Sequence, residues 1–407
     1  MRPRLLVLSN GHGEDVIARR ILECLSSDQP HLSIQALPLV GEGASFAPLK
    51  NVGRLGPSLI LPSGGFSNQN LGGLLSDLKA GLLGLSLAQW RSIQHWAKGG
   101  GTVLAVGDLL PLLLAWASGL PFGFIGTPKS DYTWRSGPGN APLADAYHRL
   151  KGSEWDPWEW ALMGSRRCRL VICRDGLTAR GLRRHGVAAL APGNPMMDGF
   201  AHAPLPSELR GWRRILVLPG SRSPEALANL ERLLAGLRPP GNGEQHLLML
   251  CCGNNPSNGE LEQMLARLGY RTTPAGPALA AEASWQGPGG TLLLGRGRFE
   301  AWASWAEVGI ACAGTATEQL VGLGCAALSL PGPGPQFQKG FAKRQSRLLG
   351  GAVRVCSDAA ALNLALNSLL ANAQQRQARG AMGVGRMGSS GASARIAALL
   401  SQKLLNA

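Results

Sequence analysis

The sequence predicts an α/β chain built on two parallel sheets, one in each of two domains. Three observations carry this reading. Short apolar runs bounded by Gly and Pro alternate with longer helical patterns, as parallel strands joined by crossover helices require. The series pauses at Ala203-Pro-Leu-Pro206 and restarts at Arg214-Ile-Leu-Val-Leu218. The 407 residues suit about two domains at the usual ~100–200 residues each. The resulting division is 1–205, 206–378 and a closing segment, 379–407.

The elements follow in order. Arg4–Ser9 is the first buried strand and Asp15–Leu25 the helix after it. Thr102–Val106, Pro121–Ile125 and Leu170–Cys173 are further strands, the last followed by a helix over Gly176–His185. Arg214–Leu218 opens the second half, and His246–Cys252, Thr291–Leu294, Val308–Cys312 and Ala326–Leu330 continue it. Gly380–Gly391 is glycine-rich, and Ser393–Leu405 reads as an amphipathic closing helix.

Hydrophobic residues make up 45% of the chain and charged residues 16%, enough apolar material for a sizeable core. The 40 Lys and Arg exceed the 25 Asp and Glu, giving +15, which favours anionic partners. The basic residues are scattered, with Arg19-Arg20, Arg166-Arg167 and Arg183-Arg184 the densest pairs and no basic run or tail. Nucleic acid is therefore not an expected partner, whereas an anionic bilayer fits. The eight Cys show no C-x-x-C pair and no zinc spacing, so free buried thiols, a reducing cytoplasm and no metal are expected. Leu5–Leu8 is too short for a signal-peptide core, and no long charge-free apolar stretch predicts a spanning helix.

In open parallel sheets ligands bind beyond the carboxyl ends of the strands, so the loops there are the candidate sites. Ser9-Asn-Gly-His-Gly-Glu-Asp15 follows the first strand: Gly11 and Gly13 permit close backbone approach, Asn10 lies beside them, and His12, Glu14 and Asp15 are candidate proton acceptors. Asp15 equally serves as a helix cap. Asp108 ends the Thr102 strand, as a carboxylate in the site or as the cap of the next helix. In Leu218-Pro-Gly-Ser-Arg222 a turn at Gly220 presents Ser221 and Arg222, a set that suits a diphosphate. Gly314-Thr-Ala-Thr-Glu-Gln319 opens a helix whose amides face an anion, with Glu318 placed for a ribose diol. Pro331–Lys339 offers Gln336, Gln338 and Lys339 to sugar or phosphate. No P-loop, no dinucleotide fingerprint after the first strand and no G-x-S-x-G elbow occurs.

Taken in order and spacing, Gly193-Asn-Pro-Met-Met-Asp198, Pro219-Gly-Ser-Arg222 and Gly314-Thr-Ala-Thr-Glu318 resemble lipid-A-disaccharide synthase and its relatives among the GT-B glycosyltransferases. Arg386–Ala392 is similar to the segment before the last helix of GT-B glycolipid enzymes. The resemblance implies two Rossmann-like domains facing a cleft, with the closing helix crossing back to the first. It implies a UDP-sugar donor on the second domain, at Gly220, Ser221, Arg222, Gly314, Thr315, Ala316, Thr317, Glu318, Gln319, Gln336 and Gln338. It places a lipid or membrane-linked acceptor on the first, beside Asn10, Gly11 and Gly13, with Asp108, His12 and Glu14 as catalytic candidates. Inverting hexosyl transfer without cofactor or metal is the implied reaction, in the cytoplasm at the inner face of a membrane. A UDP-sugar epimerase or hydrolase, or a non-catalytic binding protein, is the alternative. The chain differs from the synthase pattern in its first loop, in Asn194 where His is usual, and in a Pro- and Gln-rich loop lacking Tyr-Arg.

Two apolar features fit a bilayer contact or, equally, the core: Leu71–Trp90, and the cluster Trp155, Trp158 and Trp160.

Overall fold

The computed structural model describes residues 3–57, 82–135, 138–139, 141–200, 203–222, 224–239, 243–274, 279–334 and 337–406. Gln336 and the first part of the 71–90 stretch lie outside them. The chain forms two compact units. Unit 1 comprises Met1–Asp131, Pro142–Asp198 and Ser389–Ala407; unit 2 comprises Tyr132–Ala141 and Gly199–Gly388.

Unit 1 holds a seven-stranded sheet: β1 (Arg4–Ser9), β2 (Ser33–Pro38), β3 (Val52–Arg54), β4 (Thr102–Gly107), β5 (Phe122–Gly126), β6 (Cys168–Cys173) and β7 (Ala189–Leu190). The order is β3-β2-β1-β4-β5-β6-β7, and every pairing is parallel. Helices cover both faces, so the central strands carry continuous apolar runs, Leu5–Leu8 in β1 and Val103–Val106 in β4. Leu6, Leu8, Val103, Ala105 and Phe124 pack on one side with Trp155. Ser9 lies opposite Val106 and Gly107 opposite Gly126, so residues 10, 108 and 127 leave the sheet at one edge.

Unit 2 holds an eight-stranded sheet: β8 (Trp212–Leu218), β9 (Gln245–Leu250), β10 (Arg271–Thr273), β11 (Ala283–Gly287), β12 (Gly290–Leu294), β13 (Val308–Ala311), β14 (Ala326–Ser329) and β15 (Val353–Val355). Its order is β10-β11-β12-β9-β8-β13-β14-β15. Alternate residues of β8 feed different cores, as a period of two demands. Ile215 and Val217 join Leu230, Leu233 and Leu261, while Leu216 and Leu218 join Trp302 and Leu320. The sheet is not wholly parallel: β10, β11 and β12 form an antiparallel edge that the apolar-run reading did not find. Leu218 lies opposite Ala311, and Ile310 opposite Leu328, so the loops after β8, β13 and β14 also share an edge.

The glycine-rich tail begins as a helix, Ala373–Met387. A Cβ on Gly380 would stand 1.9 Å from the Gly324 carbonyl oxygen, and one on Gly383 would stand 2.2 Å from that of Val321. These glycines therefore allow the helix to cross Thr315–Gly322 and its end at backbone contact. Position 379, where the sequence division starts the closing segment, lies inside this helix.

The last helix, Ala392–Leu400, packs on His12–Asp28 within unit 1. Asp198 seats it: Oδ1 accepts from the Gly391 and Ala392 amides at 2.5 and 3.1 Å, and Oδ2 from the Ser393 amide at 2.6 Å. Asn194 Oδ1 accepts from the Met196 amide at 3.0 Å, and Arg20 donates to the Pro195 carbonyl at 2.7 Å. The Gly193–Asp198 motif thus clamps the closing helix.

Candidate active site

In both sheets strand order reverses at one place, between β1 and β4 and between β8 and β13. Loops diverge there and leave a crevice for ligand. The sequence-derived site residues of the loops after β1, β4, β8 and β13 lie at these two points, whereas Gln338 follows β14.

In unit 1 the chain turns out of β1 at Gly11 (φ 125°), a conformation natural to glycine, and enters helix His12–Asp28 at once. Asn10 Nδ2 donates to Asp108 Oδ1 at 2.8 Å. The same oxygen accepts from the Leu110 amide at 3.2 Å, so Asp108 both caps helix Leu109–Ala117 and is tied to the first loop. Glu14, in the first turn of its helix, receives a 3.0 Å hydrogen bond from Thr127 Oγ1 on Oε1. Gly107 lets the loops close up, since a Cβ there would lie 3.2 Å from Asn10 Cβ and 3.4 Å from Glu14 Cγ. Burial pushes the Glu14 carboxyl up to about 7; its own amide and Thr127 pull down, and the charges of Asp108 and Asp15 push up. Burial likewise raises Asp15 to about 6, against a 2.5 Å hydrogen bond from Ser9 Oγ and the charge of Arg54. A carboxyl titrating near neutrality can take and return a proton at working pH.

His12 is exposed, and its Nδ1 lies 3.4 Å from Ser45 Oγ rather than on the carboxylates. Gly13 is part of the first helical turn. Thr127 was missed by sequence reasoning, although it directly follows a readable strand and the strand-end rule extends to its loop.

In unit 2 the loop after β8 turns at Gly220 (φ 103°), where a Cβ would lie 3.3 Å from the Cys312 carbonyl oxygen of the neighbouring loop. Ser221 is exposed, and Arg222 is half-buried. Burial lowers the Arg222 pKa, opposed by the charge of Glu225. Thr315 starts helix Thr315–Gly322 with Gly314 as its cap residue. Thr315 is exposed, while Ala316 and Glu318 are half-buried in the first turn. Thr317 is fully buried and donates to the Ala313 carbonyl at 2.7 Å, and Gln319 is buried one residue beyond Glu318. Gln338 is the exposed residue preceding helix Lys339–Leu348.

Residues that sequence reasoning passed over hold these loops together. Asn229 Nδ2 donates to the Pro219 carbonyl at 2.9 Å. Arg232 donates to Asn229 Oδ1 at 2.6 Å and to the Pro331 carbonyl at 2.7 Å. Gln345 Nε2 donates to the carbonyls of Ala313 and Gly314, both at 3.1 Å. With carbonyls anchored from behind, the loop backbone is fixed before any ligand arrives. That lowers the ordering cost of binding.

The apolar features divide. Trp155 is fully buried, Trp160 stacks on His185 with centroids 3.6 Å apart, and Trp158 is exposed. The helix Leu82–Ala97 buries Ile93 and Trp96 and exposes Leu87 and Trp90. No helix among the described residues is long and apolar enough to cross a membrane. All eight cysteines are free thiols.

No protein-family model matches this sequence, and no curated protein matches it significantly. Solved structures do match its fold. MurG of Acinetobacter baumannii is similar over 98% of this chain and 99% of its own, at TM-score 0.56 and 16% identity. The calicheamicin glycosyltransferase CalG4 is similar over 99% of each chain, at 0.57 and 13%. UDP-GlcNAc 2-epimerase from Neisseria meningitidis, bound to UDP-GlcNAc, is similar over 98% of this chain and 100% of its own, at 0.53 and 12%. Identities this low establish the fold, two mainly parallel α/β sheets with flanking helices in the GT-B manner, and leave the chemistry to the site.

Proposed function

We propose that this chain is a glycosyltransferase that moves a hexose from a UDP-sugar to a hydroxyl of a lipid or membrane-linked acceptor. The observation that carries the reading is that in unit 2 the Gly220 turn, two residues before Arg222, packs on Cys312 of the loop that leads to the helix start at Thr315, with both loops braced by Asn229, Arg232 and Gln345. Amides, a helix N-terminus and a guanidinium together match a diphosphate. Glu318, in the first turn of that helix, is the group assigned in this reading to accept from the ribose diol.

Unit 1 supplies the base. Glu14 or Asp108 takes the acceptor proton as the hydroxyl oxygen attacks the anomeric carbon. Arg222 and the helix dipole offset charge growing on the leaving diphosphate, and attack opposite the leaving group inverts the anomeric centre. The likeness in fold to the calicheamicin glycosyltransferase supports this reading. So does the match to the lipid-A-disaccharide-synthase motifs at Pro219–Arg222 and Gly314–Glu318. The lipid character of the acceptor rests on that match, on the +15 charge and on exposed Leu87, Trp90 and Trp158, which suit the inner face of a membrane.

Calorimetric titration with UDP tests the donor site. Wild type is expected to bind, and Arg222→Ala to lose most of that affinity. A folded wild type silent to UDP, ADP, GDP and TDP would sink the proposal.

An epimerase is the second reading, favoured by one observation: Glu14 holds a proton near neutrality beside two further carboxylates. Product analysis with UDP-N-acetylglucosamine and no acceptor separates the two, because only an epimerase yields a new UDP-sugar.

A further inference from the structure

Glu14 and Asp108 stand side by side at the β1/β4 edge, yet their surroundings differ. One Asp108 oxygen is held by two donors, Asn10 Nδ2 at 2.8 Å and the Leu110 amide at 3.2 Å, which commits it to capping the next helix. Glu14 has one side-chain donor, Thr127 on Oε1 at 3.0 Å. Its Oε2 sits over Gly11, 3.3 Å from where a Cβ would be. Thr127 is itself fixed, its amide donating to the Gly107 carbonyl at 3.2 Å and its carbonyl accepting from Arg174 at 3.3 Å.

We propose that Thr127 is a positioning residue: its hydroxyl holds Oε1 of Glu14 so that Oε2, over Gly11, takes the acceptor proton, while Asp108 serves as the cap of helix Leu109–Ala117. This rests on the transferase reading and assigns the base within it. In the step, the acceptor O–H proton moves to Glu14 Oε2 as the oxygen bonds to the anomeric carbon. The bond from that carbon to the diphosphate oxygen breaks with its electron pair on the diphosphate. Two carboxyls in unlike settings divide the labour of capping a helix and moving protons.

The groups that bear on Glu14 are Asp15 on its own helix, Asp108 after β4 and Thr127 after β5. Arg54 of β3 acts on Asp15, and His12 turns to Ser45. This makes the proposal readable without knowing the acceptor. Protein labelled with 13C at glutamate carboxyls is titrated by NMR, and the Glu14 resonance is assigned by its absence in Glu14→Gln. The wild-type midpoint is expected near 7 rather than the ordinary 4.5. Thr127→Val deletes a donor to the ionised form and is expected to raise the midpoint by about one pH unit. Thr127→Ser is expected to restore it, and Asp108→Asn, which removes a neighbouring negative charge, to lower it. Should Thr127→Val not fold, Thr127→Cys, a similar shape with a weak donor, takes its place with the same upward shift.

A folded Val or Cys variant with an unmoved midpoint overturns the proposal, as does a wild-type Glu14 that titrates near 4.5. UDP calorimetry on the same samples separates the two readings. Thr127→Val is expected to bind UDP as wild type does. A wild type that binds no UDP removes the donor reading, whatever Glu14 does.

Discussion

At the carboxyl edge of the unit 1 sheet stand Glu14, Asp15 and Asp108, two of them holding protons toward neutral pH. At the same edge of unit 2 stand the Gly220 turn, Arg222 and the start of helix Thr315–Gly322. One architecture, reversed at β1/β4 in one sheet and at β8/β13 in the other, therefore presents acid in one unit and positive charge in the other. Topology sets where a site lies. The few residues after each strand set whether it moves protons or holds an anion.

Four changes break or sharpen the contrast, from the largest effect down. Asp198→Ala strips three amide contacts from the closing helix and is expected to cost unit 1 about 3 kcal/mol. Urea unfolding should show a weakened unit 1 phase and an unchanged unit 2 phase; equal loss in both would break the contrast. Next is pH. Glu14 and Asp15 have folded pKa values raised above 4.5 and 3.8 to about 7 and about 6, so the stability they favour is full below about pH 4 and is lost as pH rises through 7. The fall is on the order of 2–3 kcal/mol. Unfolding midpoints at pH 4.5 and 7.5 measure it, and Glu14→Gln should flatten much of the slope.

Third, Arg222→Ala is expected to weaken UDP binding about 30-fold, or about 2 kcal/mol, whereas Asp108→Asn should leave UDP affinity within about twofold. A large Asp108 effect on UDP would blur the division between the units. Smallest is Arg232→Ala, which removes the brace on Pro331 and on Asn229. A loss of about 1 kcal/mol in UDP affinity is expected, with no change in the Glu14 titration.

Much of the fold was legible because helices cover the central strands on both faces, which leaves Leu5–Leu8, Val103–Val106 and Val308–Cys312 as unbroken apolar runs. The edge was not: β10 is Arg-Thr-Thr, polar because it is half-solvated. Gly380 and Gly383 carry no local sign that they serve a helix crossing, since the partner carbonyls belong to residues 324 and 321. Within the site, Glu14 and Asp108 were readable by their place after strands. The Asn10–Asp108 hydrogen bond spans 98 positions and the Arg232–Pro331 bond spans 99; no window along the sequence contains either pair. His12 was the conspicuous residue of its loop, yet the helix begins at that residue and its ring turns to Ser45.

The clamp at Asp198 has a consequence for how the protein is made. Helix Ala392–Leu400 belongs to unit 1, yet all of unit 2 precedes it in the chain. Domains commonly fold in the order in which they leave the ribosome, but here the first unit to emerge cannot be completed until the second has been synthesised. Until then, the face of helix His12–Asp28 that receives Ile396 and Leu400 stays bare, and the loop that carries Glu14 is mounted on an unfinished support.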